Sequence, residues 1–197
     1  MIRQRSYTLK RRADNQTETR RRIVEATVHL HGTLGPARTT ISDVAERAGV
    51  QRHTVYAHFP TERDLALACS GLALERDPLP DANVWRRIGD REQRLRRGLA
   101  EIYAWFARNC ELAACVLRDA EVDPLTRDIV QLRIGARMEE FRHVLGRGFP
   151  QSRRLRAAVR LALGFQTWRS LVKEGGLSLD AAVDLMVSAI RCATDKR

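Results

Sequence analysis

Thr39–Phe59 reads TTISDVAERAGVQRHTVYAHF, and it describes two short helices hinged at a glycine. Thr40 is placed to cap the first helix. Asp43, three residues on, closes a capping box and meets the positive end of the helix dipole. Ile41, Val44 and Ala45 recur at helical spacing and give one apolar face. Ala48-Gly49-Val50 ends the helix, because glycine adopts the left-handed conformation that a tight turn demands. The second helix turns Val55 and Phe59 inward and leaves Gln51, Arg52, His53, Thr54, Tyr56 and His58 outside. Such side chains bond base edges or phosphates, so the pair reads as a helix-turn-helix whose second member suits a DNA major groove.

The flanking residues strengthen the reading. An arginine-rich lead enters a first helix at Arg22-Ile23-Val24-Glu25-Ala26-Thr27. Thr39-Thr40-Ile41-Ser42-Asp43-Val44-Ala45 and Ala48-Gly49-Val50 follow, then Thr54-Val55-Tyr56-Ala57-His58-Phe59, and a polar start and leucines from Thr61 to Leu67. Over residues 20–70 these motifs resemble the TetR family of transcriptional repressors. Three positions depart from that pattern. His31 stands where the family usually has phenylalanine, His53 where it often has glycine, and Glu62 where it has a phosphate-directed lysine. Glu62 suits a helix N-terminus but repels phosphate, which leaves that role to Arg63.

Composition bounds the rest. The chain has 197 residues, 44% of them apolar, with 12 glycines and 6 prolines, enough for one large domain or two small ones. No run approaches eighteen apolar residues and no apolar leader segment follows the basic N-terminus, so a cytoplasmic protein without a membrane span is expected. Cys69, Cys110, Cys115 and Cys192 lack metal-type spacing and read as reduced thiols. Of the net charge of +11, residues 1–22 carry +6, from eight lysines and arginines against Asp14 and Glu18. A basic arm at 1–19 neutralises phosphates or reaches into a minor groove; a solubilising tail is the alternative. The remaining excess reads as spread over the C-terminal helices.

Periodicity makes the chain all-α: an N-terminal three-helix DNA-binding domain with the helix-turn-helix, then a larger helical ligand-binding and dimerisation domain. Helices are expected at about 16–33, across the motif, and at 61–75. Further ones are expected at 84–108, 111–121, 124–147, 151–174 and 178–194. Pro78 and Pro80 mark the boundary, giving a basic arm at 1–19, a DNA-binding domain at 20–76 and a second domain at 77–197. The stripe Leu125, Ile129, Leu132 and Ala136 and a second stripe, Ile134, Met138, Phe141 and Leu145, suit a central helix packed on two sides. The last two helices form a hairpin whose faces suit burial against an identical hairpin, a homodimer through 151–174 and 178–194.

No enzyme constellation is present: the sequence lacks G-x-x-x-x-G-K-[ST], G-x-S-x-G, H-E-x-x-H and C-x-x-C. His29 and His31, two apart on a helix, point to different faces and do not chelate together. No cofactor and no metal are expected. For DNA, Gln51 and Arg52 are best placed to read bases, with His53 and Thr54 beside them. Tyr56, His58, Thr39, Thr40 and Arg63 are assigned to phosphates. The resemblance further implies a small effector in the second domain, for which Trp105, Phe106, Cys110, Cys115, Phe141, Phe165 and Trp168 are candidate liners. It implies a dimer on an inverted-repeat operator in double-stranded DNA. An effector that prefers a displaced fourth helix would then change the spacing of the two recognition helices. A DNA-binding regulator without induction, or a basic nucleic-acid-binding scaffold, are the competing readings.

Overall fold

A computed structural model describes residues 2–194, with side chains from Asp14 onward, and every regular element in that range is helical. The basic arm's Arg3, Arg5, Lys10, Arg11 and Arg12 have side chains outside the described residues. Two compact units emerge, 1–76 with 114–130, and 77–113 with 131–197. The chain therefore crosses between them three times. Residues 114–130, which periodicity alone groups with the second domain, pack with the first unit.

The first unit is built on α1 (Ile2–Thr33), which packs against α2 (Ile41–Ala48) and α4 (Glu62–Arg76); α2 also packs on α3 (Arg52–His58). Their apolar faces close one core: Ile23, Val24 and Ala26 of α1 meet Val44, Ala45 and Ala48 of α2, with Val55, Phe59, Leu65 and Cys69. Thr27 is buried there because its hydroxyl donates to its own helix, at Ile23 O, 2.8 Å away. Leu34, just past the end of α1 at Thr33, is 36% exposed. The unit is completed by the end of α7 (Cys110–Asp119) and by α8 (Pro124–Val130), which packs on α4.

The second unit holds α5 (Ala82–Arg86), α6 (Arg91–Arg108), α9 (Ala136–Gly146), α10 (Arg153–Ala162), α11 (Phe165–Trp168) and α12 (Leu179–Thr194). Its centre is α6, whose Leu95, Leu99, Ile102, Tyr103 and Phe106 are buried against α9 and α12. Side-chain caps set several starts: Asp81 on Asn83 N, Asp90 on Gln93 N, and Ser152 on Leu155 N at 3.0 Å. Each satisfies a backbone N–H that the first turn leaves open.

Three helices expected as continuous are interrupted. The segment 84–108 breaks at Gly89-Asp90, where Asp90 caps a new helix. The segment 124–147 changes to a π turn at Gln131–Gly135. A wider turn rotates everything after it, which leaves Leu132 59% exposed and Ala136 exposed instead of continuing the stripe from Ile129. The segment 151–174 stops at Leu163-Gly164, resumes over Phe165–Trp168 and finishes as a second π turn, Arg169–Glu174.

Among the described residues no helix is long and apolar enough to cross a membrane, and no group of three metal-binding side chains converges.

Candidate nucleic-acid interface

Thr40 and Asp43 form the capping box in both directions. Thr40 Oγ1 accepts Asp43 N–H at 3.2 Å, and Asp43 Oδ2 accepts Thr40 N–H at 2.8 Å. Those bonds hold the Asp43 carboxyl below its ordinary pKa. Gly49 closes α2 at φ 64°, ψ 42°, the left-handed conformation, and its N–H returns to Ala45 and Glu46 carbonyls. The hinge fixes α3 against α2, with Val55 fully buried beneath it and Phe59 2% exposed. Arg20 of α1 stacks over the Phe59 ring, 4.6 Å from its centroid, a cation–π contact that covers the end of α3.

With Val55 inward, α3 presents Gln51, Arg52, His53 and Tyr56 to solvent, and Thr54 and His58 half-buried. None of these six side chains has a hydrogen bond or ion pair with another described residue, so their donors and acceptors remain available for base edges and phosphates.

The threonines assigned to phosphate are differently placed. Thr39 Oγ1 donates to Gly35 O at 2.8 Å, and Thr40 Oγ1 donates to Asp43 Oδ2 at 2.7 Å. A phosphate oxygen only accepts, so both hydroxyl hydrogens are already committed. Ser42, which motif spacing does not single out, is exposed on the first turn of α2 with its hydroxyl unbonded among the described residues. The signal for it is its place two residues after an N-cap, where open backbone N–H groups gather.

Arg63 is 50% exposed and lies 3.9 Å from Asp128 of α8, a loose pair at the limit of contact. Thr61 and Asp64 form a second reciprocal box at the head of α4, with Asp64 N–H on Thr61 Oγ1 at 3.1 Å. Glu62 therefore sits in a first turn that already suits negative charge.

Behind this face, His31 fills the place expected of an aromatic. Its Nδ1 is 3.5 Å from Cys69 Sγ of α4, and burial pushes its pKa down to about 4, opposed by the field of Asp119. Asp119 itself accepts Ala37 N–H at 3.0 Å, and Arg118 donates to Leu34 O at 2.9 Å. The end of α7 thus clamps the loop that leads into α2.

The effector candidates separate into three places. Phe106, Phe165 and Trp168 meet ring to ring, with centroids 5.4 Å apart for Phe106–Phe165 and 5.9 Å for Phe106–Trp168. Trp105 packs on Phe106 at 5.8 Å but sends its N–H to Asp77 O. Phe141 lies with Trp85, 4.9 Å between centroids. Cys110 is half-buried in the second unit, while Cys115 belongs to the first, its thiol 3.5 Å from Gly32 O. Trp168 is fully buried, and its Nε1 is the buried side-chain nitrogen without a partner among the described residues.

Residues 23–69 match the model of the bacterial regulatory proteins of the tetR family. The match is confined to that stretch, about a quarter of the chain. Among curated relatives, the HTH-type transcriptional regulator TtgR of Pseudomonas putida is 40% identical over 60 residues. That match covers 30% of this chain and 29% of the relative, under a third of either. Solved structures extend the fold over most of the chain. The TetR-family regulator PfmR from Thermus thermophilus has a TM-score of 0.61 at 20% identity, covering 89% of this chain and 96% of that one. FadR from Bacillus subtilis, solved with stearoyl-CoA, has a TM-score of 0.60 at 17% identity, covering 88% and 97%. Over most of its length the chain thus shares the all-helical fold of those structures.

Proposed function

We propose that this chain is a sequence-specific DNA-binding transcriptional regulator, a homodimeric repressor released by a small-molecule effector. The observation that carries the reading is α3. It is a seven-residue helix fixed from beneath by Val55 and Phe59, with every polar side chain of its outer face unengaged. Gln51 pairs two-pronged with adenine and Arg52 with guanine, while His53 and Thr54 read or position. Tyr56 and His58 bond phosphates. Thr39 and Thr40 are assigned as positioning residues that hold the N-terminus of α2, with Ser42 and the open amides of that turn as phosphate donors. Arg63 adds a phosphate contact beside Glu62.

One recognition helix gives modest affinity; two at about 34–36 Å spacing multiply it. The hairpin of 151–174 and 178–194 supplies the pairing surface. Ala181, Leu185, Ser188, Ala189 and Cys192 of α12 are exposed at helical spacing, an uncharged stripe flanked by the exposed Asp184 and Arg191, and such a stripe is self-complementary across a twofold.

For the effector we assign the cluster of Phe106, Phe165 and Trp168, with the Trp168 N–H as hydrogen-bond donor to an acceptor on an otherwise apolar molecule. The helix there is broken at Gly164 and followed by a π turn, a geometry that recurs at functional sites. FadR, solved with stearoyl-CoA, is a precedent for a ligand with a long apolar chain in this fold. The effector lowers DNA affinity by no more than its differential affinity for the two states of the dimer.

The close ring packing of Phe106, Phe165 and Trp168 favours a second reading, a constitutive DNA binder with a filled core. Selection of bound fragments from genomic DNA tests the main claim. An inverted repeat is expected, and enrichment without sequence preference overturns it. Titrating apolar compounds into the operator complex then separates inducible from constitutive binding.

A further inference from the structure

Asp119 stands where local forces do not favour an acid. It is the last residue of α7, at the end of the helix whose open carbonyls and negative dipole oppose an anion. It is 4% exposed, and burying a carboxylate costs free energy unless its oxygens are bonded. It also leaves no room for a side chain at Gly35. Two bonds answer these costs: Arg118 Nε donates to Oδ1 at 2.7 Å, and Ala37 N–H donates to Oδ2 at 3.0 Å. A residue that its local context opposes is expected where function outweighs stability.

The chain from Ala37 into α2 has little slack. Arg118 Nη2 and Arg38 Nε both donate to Leu34 O, at 2.9 and 3.2 Å. Arg38 N–H donates to Gly35 O and Thr39 N–H to Pro36 O, at 3.3 and 3.2 Å, and Thr39 Oγ1 returns to Gly35 O at 2.8 Å. Thr40 is then the N-cap of α2, and Ser42 follows with its exposed hydroxyl. The far end of α2 is held by the turn at Gly49 and by the packing of α3. Slack in the loop would therefore appear as movement of the N-terminal turn.

We propose that Asp119 is a positioning residue for DNA binding: through the Ala37 N–H it sets where the N-terminal turn of α2 meets a phosphate of the duplex backbone. The inference rests on the DNA-binding reading above in taking that turn, with Ser42, as the phosphate donor. Asp119 itself touches no DNA. Hydrogen bonds weaken steeply as donor and acceptor lose alignment, so a turn that drifts loses its phosphate even though every donor is still present. The donors it holds are amides and a hydroxyl, which carry no sequence information and no charge.

D119A and D119N are compared in the full chain, at a temperature where circular dichroism shows each fully folded. Both remove the same charge, and only D119N keeps an oxygen for the Ala37 N–H. The probes are the operator fragment recovered from genomic selection and a scrambled duplex of equal length. D119A should bind each about tenfold more weakly than D119N. The ratio of the two affinities should be the same in both variants. The slope of log K on log salt should also be the same in both, since they differ by no cation. A double-mutant cycle supplies the readout that a purely structural role would not move. S42A should cost about fivefold beside D119N and less than about twofold beside D119A, where the turn has already lost its bond.

Equal duplex affinities of D119A and D119N overturn the proposal and leave Asp119 a brace of the fold alone. So do losses from D119A and S42A that add fully. If the wild type shows no preference for the selected fragment, yet D119A weakens both duplexes and couples to S42A, sequence reading by α3 fails and the positioning role stands.

Discussion

Asp119 Oδ2 accepts the backbone N–H of Ala37 at 3.0 Å, across 82 residues of sequence. The bond pins the turn at Pro36–Arg38, the last structure before the helix-turn-helix. Gly35, at φ 99°, makes room for it, since a Cβ there would lie 2.2 Å from Asp119 Oδ2. D119A should leave the Ala37 N–H without its partner and cost about 1–3 kcal/mol, read as a lower unfolding midpoint. D119N, which keeps an accepting oxygen, should cost less. G35A adds both the clash and the strained φ, and in G35A/D119A the loss should be less than additive because the clashing carboxylate is gone. Additive losses would show that the two residues act independently.

Arg94 is 3% exposed and has no carboxylate partner among the described residues. It donates instead to Ile88 O at 2.7 Å, Val144 O at 3.1 Å and Arg147 O. Val144 and Arg147 lie at the end of α9, where unpaired carbonyls and the negative dipole end favour a cation. R94M should cost about 3 kcal/mol by leaving several carbonyls unbonded. R94K should recover less than half of that, because a compact ammonium does not span the same oxygens. Denaturant titration of the three proteins checks the order.

His31 gives the stability a pH dependence. The folded chain keeps it neutral down to about 4, whereas an unfolded histidine takes its proton near 6.5. Between those values the unfolded state binds more protons, so stability rises with pH across the window. It is complete above pH 6.5 and declines as pH falls toward 4. The size is on the order of 3 kcal/mol. Cys69 of α4 and Asp119 of α7 face the ring, and Asp119 works against the shift by favouring the imidazolium. H31F should flatten that part of the profile; melting temperatures at pH 4.5 and 7 of wild type and variant compare directly.

Arg52 and Tyr56 should separate base reading from phosphate contact. R52A should cost roughly 1–3 kcal/mol on the preferred operator and relax preference at one base pair. Y56F should weaken all duplexes alike. Titration against single-base operator variants distinguishes them, and equal, sequence-independent losses would remove Arg52 from the base-reading set.

The helix-turn-helix was legible because its signals are local. Thr40, Asp43 and Gly49 each specify their own backbone within three residues, and all three behave as written. His31 announced itself as a departure that needed a partner, but that partner, Cys69, is 38 residues away and no spacing rule names it. The same is true of Asp119 with Ala37. The breaks at Gly164 and Gln131–Gly135 were hidden because apolar periodicity continues through them. Gly89-Asp90 was readable as a stop followed by a cap, whereas a π turn leaves no mark of its own in composition.

The unit that carries α3 is sewn from two threads, 1–76 and 114–130. That imposes an order of events on synthesis. When Arg76 leaves the ribosome, the clamp at Asp119 and the helix α8 do not yet exist, and more than fifty further residues must be translated before α4 gains that neighbour. A polypeptide truncated after the fourth helix would therefore be an unfinished reader of DNA, and grafting it onto another protein would transfer the recognition residues without the brace that steadies them.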